Sequence, residues 1–217
     1  MAPLKPSGES KATLAAIIGQ PVTASRIGLL GGSFNPAHDG HLHISLEALK
    51  RLSLDQVWWL VSPQNPLKPA DQMAPFDKRI ASAKATATNP AIRVSDIEAK
   101  LGTQYTAETL KQLFALGPEL KFVWLMGADN LDQLPNWKDW EWIVTNIPIA
   151  VMARPGFEQA ENLSEAAKRF EKHRILQRDA KQLVDQAPPS WVFLPITPHP
   201  ASATQIREQG KWTRDET

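Results

Sequence analysis

Three of the chain's five histidines, His38, His41 and His43, fall in the stretch GLLGGSFNPAHDGHLH, residues 28–43, close behind a glycine pair. Imidazole can ligate a metal, assist a nucleophile, donate N–H to an anion, or pack as an ordinary polar ring. A catalytic zinc site draws three protein ligands from N, O or S donors, but HExxH is absent and there is no cysteine. A nucleophilic serine with a histidine base favours a G-x-S-x-G elbow, and none is present. Phosphate contact fits His38 and His41 best. They stand three apart in a glycine-framed turn, where imidazole N–H groups can reach anionic oxygens that move during reaction. His43, two residues after His41, points elsewhere on the following helix and reads as a structural or surface residue.

The turn needs a strand before it and a helix after it. RIGLLG (26–31) is a continuous apolar run, as in a buried parallel strand. Leu42, Leu46 and Leu49 then share one helix face across residues 41–52. This geometry presents backbone N–H groups and a positive helix end to phosphate. It is neither the P-loop nor the GxGxxG fingerprint. Further along, strands are expected at 56–62, 92–96, 121–127, 148–154 and 190–195, and helices at 76–89, 105–117, 137–144, 158–186 and 203–210. The alternation predicts a single doubly wound α/β fold, its sheet mostly parallel, with helices on both faces. Residues 1–24, rich in Ser, Pro, Ala and Lys, are expected to form a flexible N-terminal arm with one helical turn, ahead of a single domain over 25–217.

Composition narrows the partners. With 217 residues and a net charge of +1, no global field points to nucleic acid or membrane. No apolar run approaches the ~20 residues that span a bilayer, and the absence of cysteine removes disulfide and thiolate chemistry. The expectation is a cytoplasmic protein. Composition sets no oligomeric state.

The motifs together resemble a known family. GGSFNPAHDGH is similar to the signature of the HxGH nucleotidyltransferase superfamily. Its later companions resemble those of the bacterial nicotinate-nucleotide adenylyltransferases: VSPQNPLKP (61–69), YTAETL (105–110), GADNLDQLPNWKDWEWI (127–143), VMARPG (151–156) and SATQIR (202–207). Each follows an expected strand or opens the next helix, so all should meet at the carboxyl end of the sheet.

The resemblance implies a Rossmann-like nucleotidyltransferase fold and transfer of AMP from ATP to nicotinate mononucleotide. It also implies magnesium entering with ATP and no resident protein-held metal. Gly31, Gly32, Ser33, Phe34, His38, His41, Gly127, Asp129, Ser202, Thr204 and Arg207 would contact ATP, with His38, His41 and Arg207 catalytic. Asn35, Lys68, Tyr105, Thr106, Asp129, Trp137 and Arg154 would hold the mononucleotide, Trp137 by ring stacking. Each position has a plainer use too: Thr106, Asp129, Ser202 and Thr204 can cap helices, Lys68 can be a solvated loop charge, and Trp137 can be core. Within the superfamily, Trp137 and YTAETL suit a planar-ring acceptor better than a pantetheine or glycerol phosphate. A non-catalytic nucleotide-binding module would be expected to have lost His38, His41 or Arg207, and all three are present.

Overall fold

Six apolar runs become six strands: β1 (Arg26–Gly32), β2 (Gln56–Val61), β3 (Ile92–Ser95), β4 (Lys121–Gly127), β5 (Ile149–Met152) and β6 (Trp191–Leu194). The structure is a computed structural model describing residues 8–19, 21–64, 73–157, 159–197 and 199–213. The strands form one sheet in the order β3-β2-β1-β4-β5-β6, every neighbouring pair parallel. Parallel strands are buried on both faces, which is why these runs are apolar without alternation. Leu29 and Trp58 pack on one face, and their chain neighbours Leu30 and Trp59 on the other.

Among the described residues there are ten α-helices: α1 (Gly8–Ile18), α2 (Asp39–Leu52), α3 (Phe76–Thr86), α4 (Ile97–Leu101), α5 (Thr106–Leu116), α6 (Ala128–Gln133), α7 (Trp140–Asn146), α8 (Ala160–Leu163), α9 (Glu165–Arg169) and α10 (Ala203–Glu208). The strand order reverses direction between β1 and β4. Ligands of open α/β sheets bind outside the carboxyl ends at such a switch. Here β1 pairs with β4 only as far as Leu30↔Leu125, while Gly31 and Gly32 continue pairing with β2 at Leu60 and Val61. Beyond Leu30 the two central strands part, and that gap is the crevice.

Three local expectations change. Residues 1–24 hold more than a helical turn: α1 is 11 residues long, and its Leu14 is fully buried in the core beside α5. Leu14, Ile17 and Ile18 lie at helical spacing, and burying that face is what fixes a short helix. The helix expected over 158–186 is instead α8, α9 and two 3₁₀ segments, Glu171–His173 and Gln177–Asp185. Its charged residues favour helix, but Ala160, Ala166, Ala167, Ala180, Leu183 and Val184 are its buried apolar positions, too unevenly spaced for one continuous face. Finally, α7 starts at Trp140, leaving Trp137 extended in the link before it. Among the described residues no helix is long and apolar enough to cross a membrane.

Candidate active site

A cleft of about 420 Å³ opens where β1 and β4 part, within the size range of small-ligand sites. Lys68 lies outside the described residues. Every other residue singled out above for ligand contact lines this one cleft: Gly31, Gly32, Ser33, Phe34, Asn35, His38, His41, Tyr105, Thr106, Gly127, Asp129, Trp137, Arg154, Ser202, Thr204 and Arg207.

The histidine turn is held by its own hydrogen bonds. His38 is the N-cap of α2 and its Nδ1 accepts from the Gly40 N–H at 3.1 Å. His41, one turn on, accepts the His38 backbone N–H at its own Nδ1, 3.2 Å away. Each ring therefore uses Nδ1 as an acceptor, which places the ring proton on Nε2 when the ring is neutral. The His-x-x-His spacing is thus a reciprocal cap that aims two Nε2–H donors. Only glycine permits it: a Cβ on Gly40 would sit 2.8 Å from the His38 ring.

Burial, then the positive charge of Arg154 and His199, pull the His38 pKa down to about 4, against a smaller opposing effect of Asp39. His38 is therefore a neutral donor at physiological pH. The His41 ring lies 4.7 Å from Phe34, which stacks on Trp59 at 5.1 Å. Below them, the His41 carbonyl accepts from Ser45 Oγ at 2.9 Å, and that hydroxyl accepts from Trp59 Nε1 at 2.7 Å.

Phe34 occupies the left-handed region at φ 45°, which costs a non-glycine residue on the order of 1–3 kcal/mol unless its surroundings hold it. Arg207 supplies one such hold, donating to the Asn35 carbonyl at 2.6 Å and to Thr204 Oγ1 at 3.2 Å. The Asn35 side-chain oxygen accepts from the Ala74 N–H at 3.2 Å and from Trp212 Nε1 at 2.8 Å. So the last described residues reach back to the cleft rim.

Across the crevice, Asp129 Oδ2 accepts from Arg154 Nη1 at 2.7 Å, while Oδ1 is buried and without a partner among the described residues. No side chain caps α6, so the capping role weighed for Asp129 is not what it does. Ser202 stands at the N-cap of α10 and Tyr105 at that of α5, again with no side-chain cap bond. Thr106 is the first helical residue rather than the cap. Both helix starts border the cleft without a side-chain cap. Trp137 is half-buried and meets Trp124 edge-to-face at 6.2 Å. Trp124 in turn lies so close under β1 that a Cβ on Gly31 would be 2.5 Å from its ring. Lys138 Nζ sits 4.3 Å from the Tyr105 ring centroid and bonds Glu108 at 2.8 Å.

Some of the lining escaped the sequence reading: Ser62, Glu98, Gln104, Trp124, Asn130, Gln133, Asn136 and Lys138. Glu98 matters most. It is buried, its pKa is pushed up to about 7 by that burial, and a hydrogen bond from Ser62 only partly opposes the shift. Its one sequence signal was position, just past the carboxyl end of β3. His43, set aside as a bystander, bonds the Thr197 carbonyl at 2.8 Å and so ties α2 to the loop before α10.

A cytidylyltransferase-like family model matches residues 29–209. A protein of Parvibaculum lavamentivorans named "Probable nicotinate-nucleotide adenylyltransferase" is 53% identical over 188 residues, covering 87% of this chain and 94% of that one. A Ruegeria protein of the same name is 48% identical, covering 86% and 98%. Among solved structures, Plasmodium falciparum nicotinic acid mononucleotide adenylyltransferase complexed with NaAD has the same fold. Its TM-score is 0.64 at 17% identity, over 84% of this chain and 82% of that one. With the motif residues gathered in one cleft and relatives this similar over nearly their whole length, the chain belongs to the cytidylyltransferase-like family, among the bacterial nicotinate-nucleotide adenylyltransferases.

Proposed function

We propose that the protein is an enzyme of NAD biosynthesis that transfers AMP from ATP to nicotinate mononucleotide, giving nicotinate adenine dinucleotide and pyrophosphate. The observation that carries this reading is the convergence, in one switch-point cleft, of the His38–His41 pair, Arg207 and the Trp137 wall. The similarity to enzymes named for this reaction supports it.

The reaction asks for little proton chemistry. The mononucleotide phosphate has a second pKa near ~6, so it is mostly dianionic at neutral pH and needs no general base. Its oxygen attacks the α-phosphorus of ATP, a new P–O–P link forms, and the α–β anhydride breaks as pyrophosphate leaves with the bond electrons. Positioning and charge stabilisation can carry such a step. His38 and His41 would donate Nε2–H to oxygens around the α-phosphorus. With its pKa held near 4, His38 is a neutral imidazole at pH 7 and has a single N–H to donate. Arg207, with Ser202 and Thr204, would take the β- and γ-phosphates as their charge grows. The remaining lining of the β1 turn would seat the ATP, and Arg154 and Asp129 the mononucleotide beside it. Tyr105 and Thr106 would meet the pyridine carboxylate, with Trp137 on the ring face. Lys68, seven residues past the end of β2 in the sequence, would contact a phosphate.

Magnesium would arrive with ATP. The described residues contain no group of three His, Asp or Glu side chains fit to cage a metal, and the cleft offers one buried Asp129 oxygen beside hydroxyls. That donor set fits an ion held mainly by phosphate oxygens and water. When bound, the ion would neutralise charge on the departing pyrophosphate. Use of ATP accords with a cytoplasmic location.

The deciding assay follows pyrophosphate release from ATP with nicotinate mononucleotide, its amide counterpart, or phosphopantetheine. Turnover is expected with the acid mononucleotide. No product with it would overturn the reading.

A further inference from the structure

Behind the histidine turn lies a cation that the adenylyl-transfer reading leaves unused. Arg79, in the first turn of α3, is only 1% exposed. Its Nε donates to the Ala74 carbonyl at 3.0 Å, Nη1 to Ser33 at 2.8 Å and Ser62 at 2.6 Å, and Nη2 to Pro63 at 2.6 Å. The Phe76 ring lies 5.3 Å from its Cζ. Burial pulls its pKa down, yet a guanidinium keeps its proton in proteins. Burying a cation is costly, and an apolar side chain of similar volume would fill the space without that cost. The fork instead gathers carbonyls from three segments: the β1 turn, the end of β2 and the approach to α3.

What it does to the turn follows from peptide geometry. In a trans peptide the N–H points opposite to the preceding C=O. Anchoring the Ser33 carbonyl on the buried Arg79 therefore turns the Phe34 N–H the other way, away from the guanidinium, in a turn whose Ser33 and Phe34 both line the cleft. Phe34 is the residue held at φ 45°, and the carbonyls on either side of it are both gripped by arginines: Ser33 by Arg79 and Asn35 by Arg207. Ala74 couples the two grips, since its carbonyl accepts from Arg79 and its N–H donates to the Asn35 side chain. The Ser62 carbonyl, on the same guanidinium nitrogen as Ser33, adds the rim of β2.

We propose that Arg79 is a positioning residue for adenylyl transfer: from behind the cleft it holds the Ser33–Phe34 peptide so that its N–H meets the ATP phosphates, and it locks that turn to the end of β2. This rests on the reading of the cleft as an ATP site.

The test compares wild type, Arg79→Lys and Arg79→Gln. It uses thermal unfolding, calorimetric binding of a non-hydrolysable ATP analogue with magnesium, and steady-state kinetics in each substrate. Lysine keeps the charge but cannot span four carbonyls. Arg79→Lys is expected to melt within a few degrees of wild type, yet bind the analogue at least tenfold more weakly. Its kcat/KM for ATP should fall about 100-fold, the scale of a misplaced catalytic group, with KM for the mononucleotide little changed. Arg79→Gln should lose more. Arg79→Lys with wild-type analogue affinity and kcat at a temperature where both are folded would overturn the proposal. So would a loss no larger than the loss of folded protein, or complete failure of Arg79→Lys to fold, since either makes Arg79 a framework residue only. If wild type itself does not bind the analogue, the ATP-site reading fails first, and the variants are not needed to see it.

Discussion

The two walls of the cleft are built on opposite principles. The histidine wall is fixed by hydrogen bonds at nearly every step: Gly40 to His38, His38 to His41, Arg207 to Asn35, and Arg79 behind them. The wall opposite, around Tyr105, Thr106 and Trp137, is fixed mainly by packing, with Trp137 edge-on to Trp124 and Lys138 over Tyr105. Its helix start carries no side-chain cap. The difference matches the two tasks proposed for the walls. Stabilising charge as a bond breaks depends on donors aimed to a fraction of an ångström. Holding a planar ring depends on area and tolerates sliding.

The largest expected effect removes a donor from the locked wall. His41→Ala should lower kcat by about 10³-fold, as loss of a preorganised donor does elsewhere, with the circular dichroism of wild type. Near-normal turnover in that variant would erase the contrast between the walls.

A smaller effect is expected opposite. Trp137→Ala should raise KM for the mononucleotide about tenfold, in line with ~1.4 kcal/mol of lost ring contact, while KM for ATP stays near wild type. Trp137→Phe should recover most of it. Equal losses in both substrates would mean that Trp137 supports the cleft as a whole rather than one ligand.

The last effects are on stability rather than turnover, and two groups of the cleft lining have opposite pH dependences. Glu98 has its folded pKa raised to about 7, so its contribution to stability is full below the unfolded value near 4.5 and lost as pH rises through 7. His38 has its folded pKa lowered to about 4 from 6.5, so its contribution is present above 6.5 and lost as pH falls through 4. Glu98→Gln should therefore gain on wild type between pH 5 and 8, by about 1–3 kcal/mol, and His38→Asn should gain between pH 6.5 and 4. Melting curves across pH measure both. Slopes of the same sign in the two variants would show that burial does not hold these groups neutral.

The sequence by itself determined the alternation of elements, the parallel sheet and the motif residues that line the cleft. Apolar runs without alternation mark strands buried on both faces. Residues that follow such strands must collect at their carboxyl ends, which is why motifs from Gly31 to Arg207 could be placed in one site before any contact was known. Local chemistry was legible too: glycine at 40, histidine at 38 and 41, and a helix beginning between them.

Relations between segments distant in sequence were not legible. No local pattern says that Arg79 turns inward to Ser33, 46 residues away, or that Trp212 reaches Asn35 across 177. Nor does the reading show that Leu14 docks the first helix on α5, or that residues 158–186 break into short turns. In each case propensity is worth tenths of a kcal/mol per residue and yields to the tertiary surface it meets. Glu98 and His38 show the same limit for charge. Their residue types were plain in the sequence, but only burial in the folded cleft decides that His38 is neutral at pH 7 and that Glu98 holds its proton up to about that pH.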